Sequence, residues 1–176
     1  MTTPRCALVF LLAQALLALG AAAWSTELCV PIMPEPPVTD GILSPGEWEG
    51  AARLDGLSWQ GTLERRRARV YVGATDTHLH FAIVSQLPEE GELLTEVLRD
   101  SENLVFDDSL EVWVDPTFGA ERGRRFQILA NFAGHRWYKM HTYGGLPDDP
   151  SWRGKWTIAN GTQGGNWVCE VTVPVE

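Results

Sequence analysis

Residues 104–116 read LVFDDSLEVWVDP, and this stretch is the best guide to the fold of the chain. Over residues 109–115, apolar side chains alternate with polar or aromatic ones, which predicts a strand with one buried face. Pro116 ends the strand because proline cannot donate to a sheet ladder. Glu111 and Trp113 share the outward side, where we interpret them either as a recognition surface or as ordinary surface residues. The side chains expected to face the core are Leu110, Val112 and Val114.

Short segments of the same kind recur on both sides of this strand, separated by turn residues about every ten positions. No long helical period competes with them. The pattern predicts an all-β, antiparallel, jelly-roll-type β-sandwich with one or two short helical turns. The other predicted strands are residues 69–74, 78–84, 126–132, 136–141, 155–159 and 166–173.

Two places favour a helical turn. Ser44 followed by Pro45, with Glu47 three residues after the serine, is typical of a helix N-terminus. A turn at this point places Trp48 against the body of the domain, where we expect it to fill the core. The acidic segment 89–104 has a weaker helical pattern, and we expect a loop with one helical turn there.

The first 23 residues have the pattern of a secretory signal peptide. Arg5 is followed by an apolar run over residues 7–19 and by small residues at 21–23. The run is too short for a spanning helix, and no second apolar segment of spanning length follows it. We therefore expect a secreted, periplasmic or extracellular protein that does not span a membrane after cleavage.

The rest of the chain divides into two parts. Residues 24–37 are rich in proline and predict an extended N-terminal segment, in which Val30 and Ile32 are candidates for a first strand. Residues 38–176 make up the predicted sandwich. Because the chain stops directly after a predicted strand, we expect the domain to be truncated at its C-terminus.

Charge and motifs limit the classes of function that the chain can have. The formal net charge is −9, and the one basic run, residues 65–69 (RRRAR), suits a solvated strand edge. A nucleic acid partner is excluded because a phosphate backbone requires clustered Lys and Arg. A Gly-rich phosphate loop, a Gly-x-Ser-x-Gly elbow and a His-Glu-x-x-His motif are all missing, so we expect no catalytic residues. The many carboxylates alone leave a glycosidase pair open.

Signal-peptide removal leaves two cysteines, Cys29 and Cys169, in an oxidising compartment. We predict a disulfide between them, with two buried free thiols as the alternative. Two cysteines so far apart do not make a metal site by themselves.

The histidines His78 and His80 lie two apart on one predicted strand and therefore share a face. Zinc sites use such pairs, but no third ligand is near in sequence. We interpret both as surface histidines.

The adjacent carboxylates Asp107 and Asp108 point to opposite sides of an extended chain, which is poor geometry for sharing a catalytic proton. They are instead candidates for capping a loop or for binding a structural calcium ion together with nearby carbonyl oxygens.

Five segments of the chain, taken in order, resemble the family 9 carbohydrate-binding modules and their relatives with a DOMON-like sandwich. The resemblance covers residues 38–174, and the ordered set is more specific than any one segment. The segments are residues 40–51 (DGILSPGEWEGA), 69–82 (RVYVGATDTHLHFA), 107–116 (DDSLEVWVDP), 126–134 (FQILANFAG) and 167–174 (WVCEVTVP).

The resemblance implies a secreted, non-catalytic β-sandwich that binds a poly- or oligosaccharide, is linked to or associated with a glycoside hydrolase, and often holds structural calcium. Such modules clamp a sugar between two aromatic rings, assisted by a Glu and an Arg on neighbouring strands. Glu111 takes the Glu position, Gln127 stands at the Arg position, and one ring position falls near Val105 and Phe106. The candidate carbohydrate-binding residues are Glu111, Trp113, Gln127, Phe106, Asn131 and Trp137, and the candidate metal ligands are Asp107 and Asp108.

Two other functions stay open at this point. The glutamine at the Arg position and the lack of a tryptophan at positions 105 and 106 favour a sandwich that only scaffolds a larger exported protein. Relatives of the fold also bind haem, which requires axial Met or His ligands facing one pocket. The candidates for that role are Met33, His135, Met140 and His141.

Overall fold

Two antiparallel sheets dominate the computed structural model, which describes residues 29–56, 58–59, 62–63, 66–117, 123–144, 147–149 and 151–175. The predicted signal peptide, residues 1–23, lies outside the described residues. Among those described, no helix has the length and apolar character needed to cross a membrane. The strands are β1 (Ala52–Asp55), β2 (Ser58–Trp59), β3 (Thr62–Leu63), β4 (Ala68–Ala74), β5 (His78–Gln86), β6 (Ser109–Val114), β7 (Arg124–Asn131), β8 (Arg136–Thr142), β9 (Thr157–Gln163) and β10 (Asn166–Pro174), and a short 3-10 helix, η1 (Glu102–Phe106), precedes β6.

The larger sheet has five strands in the order β1-β4-β5-β10-β9, and the smaller sheet has three in the order β6-β7-β8. A separate pair joins β2 and β3. Every pairing between neighbouring strands is antiparallel. The predicted all-β antiparallel sandwich is therefore confirmed.

The core lies between the two sheets. Its fully or nearly buried members come mainly from β7 and β10, and each such apolar side chain contributes about 1.5–3 kcal/mol. Those residues are Ile128, Trp156, Trp167, Cys169, Val171 and Val173. Leu110, Val112 and Val114 of β6 pack against them, while Glu111 and Trp113 are exposed. The alternation predicted for the central strand is confirmed.

The predicted strands 69–74 and 78–84 form an antiparallel hairpin, β4 and β5, in which the Thr75 N–H donates to the His78 carbonyl at 2.8 Å. The glycines of residues 160–165 predict a turn between the predicted strands 155–159 and 166–173, and this prediction was wrong in its extent. Strand β9 continues to Gln163, only Gly164 and Gly165 make the turn, and Gly161 lies within the strand. A Cβ at Gly161 would come 2.3 Å from the Gly41 carbonyl oxygen, so this glycine permits a close approach of two backbones.

Strand β1 was not predicted, because four residues are too few for a clear period-two pattern and its side chains are mostly exposed. It pairs with β4 as an edge strand of the larger sheet.

The two expected helical turns form differently from the prediction. Residues 45–50 form successive hydrogen-bonded turns and not a helix, although Glu47 Oε2 accepts from the Ser44 N–H at 2.9 Å, as in a capping box. The helical turn of the acidic segment lies at its end, in η1, where the Ser101 hydroxyl accepts from the Asn103 N–H. The predicted role of Trp48 as a core side chain is confirmed.

The extended N-terminal segment is fixed by Met33 and not by the predicted anchors. Ile32 forms only an isolated parallel bridge with Ala74 and is 67% exposed, and Val30 is exposed as well. Met33 is buried beside Gly73, where a Cβ would lie 2.1 Å from the methionine sulfur. A first strand at Val30 and Ile32 is therefore not formed.

The predicted disulfide was wrong. Cys29 is exposed and Cys169 is buried in the core, and both thiols are free. The alternative of two buried thiols holds only for Cys169. Burial raises the pKa of the Cys169 thiol to about 12, helped by the nearby carboxylate of Glu170.

Candidate functional site

The outer face of the three-stranded sheet carries most of the predicted site. Directly opposite residues of antiparallel strands share a face, so the register places Trp113 beside Gln127 and Gln127 beside Lys139. We call this surface the outer face. Its members are Glu111, Trp113, Arg125, Gln127, Leu129, Trp137, Lys139 and His141.

A cavity of about 390 Å³ lies between η1 and the outer face, and we call it the η1 cavity. Phe106, 74% exposed, and Trp137 supply its aromatic surfaces, and the buried Leu129 lies beneath them. An aromatic ring at an open cavity suits stacking on the apolar face of a flat ligand. The lining residues are Glu102, Asn103, Val105, Phe106, Gln127, Leu129, Trp137 and Lys139.

Asp107 holds η1 and the preceding loop against β7. Its carboxylate accepts the backbone N–H groups of Glu96 and Val97 and the side-chain amide of Asn131, the last at 2.9 Å. Burial alone would raise the pKa of Asp107, but the bonds from Asn131, Val97 and Glu96 outweigh it and bring the pKa below 3.8. The carboxylate therefore fastens the wall of the η1 cavity.

Asp108 fastens a neighbouring part of the same loop. One of its oxygens accepts the Leu94 N–H at 2.8 Å, and the other lies 3.3 Å from the Arg66 guanidinium. All four oxygens of Asp107 and Asp108 thus face N–H donors, and no group of three or more metal-ligating side chains occurs in the described part of the chain. The donors leave little room for a cation, and calcium binding stays a prediction.

Asn131 does not fit its predicted role. It is fully buried at the end of β7. Its amide nitrogen donates to Asp107 and to the Val97 carbonyl, and its oxygen accepts the His135 N–H. The side chain is a structural link behind the η1 cavity and is not available to a sugar.

The polar centre of the outer face is a line of four hydrogen-bonded side chains, which we call the polar chain. Gln127 donates through Nε2 to Glu111 Oε1. Gln127 Oε1 lies 2.7 Å from His141 Nε2, and His141 Nδ1 lies 3.1 Å from Asp148 Oδ2. Lys139 pairs with Asp148 at 2.9 Å. Of the four side chains of the polar chain, only Glu111 and Gln127 were predicted from the sequence as sugar-binding residues.

An aromatic and cationic stack continues the outer face beyond the polar chain. The Trp113 ring, 43% exposed, lies 4.8 Å from the His141 ring, measured between centroids. The Arg125 guanidinium lies 5.0 Å from the Trp113 centroid and 4.8 Å from the Tyr143 centroid. The Tyr143 hydroxyl donates to Asp115 at 3.2 Å. The stack fixes the Trp113 ring at the surface, as cation–π contacts do.

Sequence reasoning missed Arg125, Lys139 and His141 as members of this face. The signal was present, because Arg125 and Gln127 lie two apart on one strand, as do Lys139 and His141 on the next. Asp148 lies in the loop after β8, where no periodicity applies.

The haem candidates do not converge. Met140 and His141 are adjacent on β8 and so face opposite sides of the sheet. Met33 packs with Trp48 on the larger sheet, and His135 lies beside Asp100 after β7.

A second cavity, about 1000 Å³, lies on the outer side of the larger sheet, and both His78 and His80 line it. The prediction of surface histidines was wrong for His80, which is buried and lies 3.0 Å from the Thr172 hydroxyl. Burial lowers the pKa of His80, with a smaller contribution from His78. Both nitrogens of His80 have hydroxyl neighbours, the second being Thr75, so the ring is built into the fold.

The comparisons with solved structures show the class of fold. A family 9 carbohydrate-binding module from Caldicellulosiruptor kristjanssonii in complex with glucose matches with a TM-score of 0.58 and 13% identity, over 84% of this chain and 69% of that chain. The same kind of module in complex with cellotriose gives 0.58 and 14%, over 84% and 67%. A candidate carbohydrate-binding protein from Bacteroides uniformis gives 0.61 and 13%, over 83% and 71%.

The chain therefore has a fold like that of the family 9 carbohydrate-binding modules, which confirms the resemblance found in the sequence. No family model and no curated protein matches the chain.

Proposed function

We propose that the chain is a secreted, non-catalytic carbohydrate-binding module that holds a poly- or oligosaccharide in the η1 cavity and along the outer face. One observation carries the proposal: two aromatic rings, Phe106 and Trp137, line a cavity that also contains the amide of Gln127. Pyranose rings present an apolar face and a rim of hydroxyls, so stacking surfaces beside amide and carboxylate groups suit them.

The structural neighbours support this proposal, because two of them contain a bound sugar, glucose in one and cellotriose in the other. In this chain Glu111 offers a carboxylate on the outer face and is held by Gln127, which lines the cavity. An open cavity with a few polar groups gives micromolar or weaker dissociation constants. The binding free energy then has a magnitude of about 8 kcal/mol or less. Export through the signal peptide and association with a glycoside hydrolase are further parts of the proposal.

Binding to insoluble polysaccharides and titration with cellotriose test the proposal. Phe106→Ala and Trp137→Ala should each weaken binding by about tenfold, because each removes one stacking surface. Leu98→Ala is the matched control, since Leu98 is an equally exposed apolar residue that does not line the cavity. The control should bind like the wild type.

Failure to bind any member of a broad glycan panel would contradict the proposal and would favour the scaffolding alternative. Binding that survives both aromatic substitutions would place the sugar elsewhere on the molecule.

A further inference from the structure

The polar chain contains more acceptors than its members can match with donors at neutral pH. Ionised Glu111 and Asp148 at its two ends only accept hydrogen bonds. Gln127 offers a donor on one side and an acceptor on the other. Neutral His141 carries one N–H and one bare nitrogen. The polar chain has three hydrogen-bonded pairs, Glu111–Gln127, Gln127–His141 and His141–Asp148, but only two N–H donors to complete them.

With the Gln127 nitrogen facing Glu111, the amide oxygen faces His141 Nε2, which must carry a proton to donate to it. His141 Nδ1 faces Asp148 and must carry a second proton for the same reason. The complete chain then contains an imidazolium ion.

Reversing the amide does not change this count. The amide oxygen would then face Glu111, which needs the extra proton itself, while His141 stays neutral. A proton on Asp148 completes the chain in the third possible way. Every complete arrangement holds one proton more than two ionised carboxylates and a neutral imidazole, so the conclusion does not depend on how the amide is oriented.

The charges around His141 set the pH at which this proton is taken up. Burial lowers the pKa of His141 below 6.5; Asp148 opposes the shift, and Lys139 and Arg125 add to it. Glu111 faces the group from β6 through Gln127, and the nearby Tyr143 hydroxyl is committed to Asp115. The complete chain therefore forms on the acid side of neutrality, and one link is lost above it.

We propose that sugar binding on the outer face is coupled to uptake of one proton by the polar chain, with His141 and Asp148 as positioning residues that lock the Gln127 amide. This inference rests on the proposed function. Gln127 lines the η1 cavity, and its amide nitrogen holds Glu111. A locked amide loses less freedom when a ligand binds, so the protonated chain binds more tightly. By linkage, the ligand raises the proton affinity of the chain.

Asp148→Asn separates this role from a merely structural one. The asparagine amide can donate to His141 Nδ1 when the Lys139 ammonium, which pairs with the same oxygen of Asp148, turns towards solvent; the chain is then complete with a neutral imidazole and needs no extra proton. We expect wild-type protein to bind cellotriose about fivefold more tightly at pH 5.0 than at pH 7.5. Asp148→Asn should bind at the tighter level at both pH values, and His78→Gln, in the other cavity, should behave like the wild type.

Two measurements on the full chain test the proposal. Calorimetric titration with cellotriose at pH 6.0, in buffers of different ionisation enthalpy, should show net proton uptake in wild type and none in Asp148→Asn. Nitrogen-15 spectra of the ligand-free protein should show the His141 midpoint at a lower pH in Asp148→Asn, because the carboxylate partner is lost.

An unchanged His141 midpoint in Asp148→Asn, or equal pH dependence of cellotriose binding in both proteins, would overturn the proposal. If cellotriose binds neither protein at either pH, the proposed function fails for this sugar, and the ligand-free spectra alone decide whether the chain takes up the proton.

Discussion

The indole N–H of Trp48 donates to Oε1 of Glu170 at 3.1 Å, joining two residues that are 122 positions apart in the chain. Glu170 is 1% exposed, and its second oxygen accepts the backbone N–H groups of Asp40 and Gly41 at 3.0 and 2.8 Å. One buried carboxylate therefore fastens the segment before β1 onto the outer side of the larger sheet.

We expect Glu170→Gln to lower the free energy of unfolding by about 1–3 kcal/mol at pH 5, because the new NH₂ group must face an N–H donor. Urea denaturation followed by fluorescence measures the change. Trp48→Phe is the comparison variant, which keeps an aromatic ring but removes the indole N–H and part of the buried ring. A loss of less than about 0.5 kcal/mol in Glu170→Gln would contradict a role in holding Asp40 and Gly41.

The stability contribution of Glu170 should depend on pH. Burial raises the pKa of Glu170 above 4.5, although the bonds from Gly41, Asp40 and Trp48 oppose the shift. The folded state then holds the proton more tightly than the unfolded state, so this stability is present below pH 4.5 and is lost as pH rises through the folded pKa. The stability gap between wild type and Glu170→Gln should narrow from pH 4.5 towards neutrality, with a slope of at most about 1.4 kcal/mol per pH unit. A gap that widens would show that the three donors outweigh burial.

For Glu111→Gln we expect weaker sugar binding by about 1–3 kcal/mol, because a charged acceptor for hydroxyl groups is lost. The side chain is exposed, so folding should change by less than about 0.5 kcal/mol. Thermal melts beside a polysaccharide pull-down measure both quantities. A variant that melts early and yet binds glycan normally when folded would exclude the recognition role of this residue.

We expect Asp107→Asn to lower the melting temperature and to weaken sugar binding together, because the wall of the η1 cavity is released. The lowered pKa of Asp107 makes its contribution present above pH 3.8 and lost as pH falls below that value. Melts with and without EDTA measure the effect and test the calcium prediction. If Asp107 and Asp108 bind calcium, EDTA should lower the wild-type melting temperature; an unchanged melting temperature would contradict the calcium prediction and leave the N–H donors as the partners of both carboxylates.

The central strand was predictable because its signal is local. In β6, successive side chains point to opposite faces, so the alternation gave both the buried set and the outward positions of Glu111 and Trp113. Gln127 and Phe106 both came from the resemblance to the family 9 modules. These residues do lie together around the η1 cavity and the polar chain.

The contacts that the sequence did not reveal are long-range. His141 and Asp148 matter only because strand register brings His141 beside Gln127. A glutamate within the apolar strand β10 gives no sign that its hydrogen-bond donors lie about 130 residues earlier. A glycine can stand in a turn or within a strand, so the sequence alone does not place Gly161. Only the close approach of the Gly41 backbone explains why this strand position is a glycine.

The reactivity of the buried Cys169 thiol can be used to measure unfolding of the sandwich. With its pKa at about 12 and the two sheets closed over it, the thiol has almost no reactive thiolate until the sandwich opens. The exposed Cys29 is open to the reagent and should react in a separate, faster phase. The slow phase of alkylation by a thiol reagent therefore follows the opening of the sandwich, and its retardation by a bound ligand measures the free energy of binding without any introduced label.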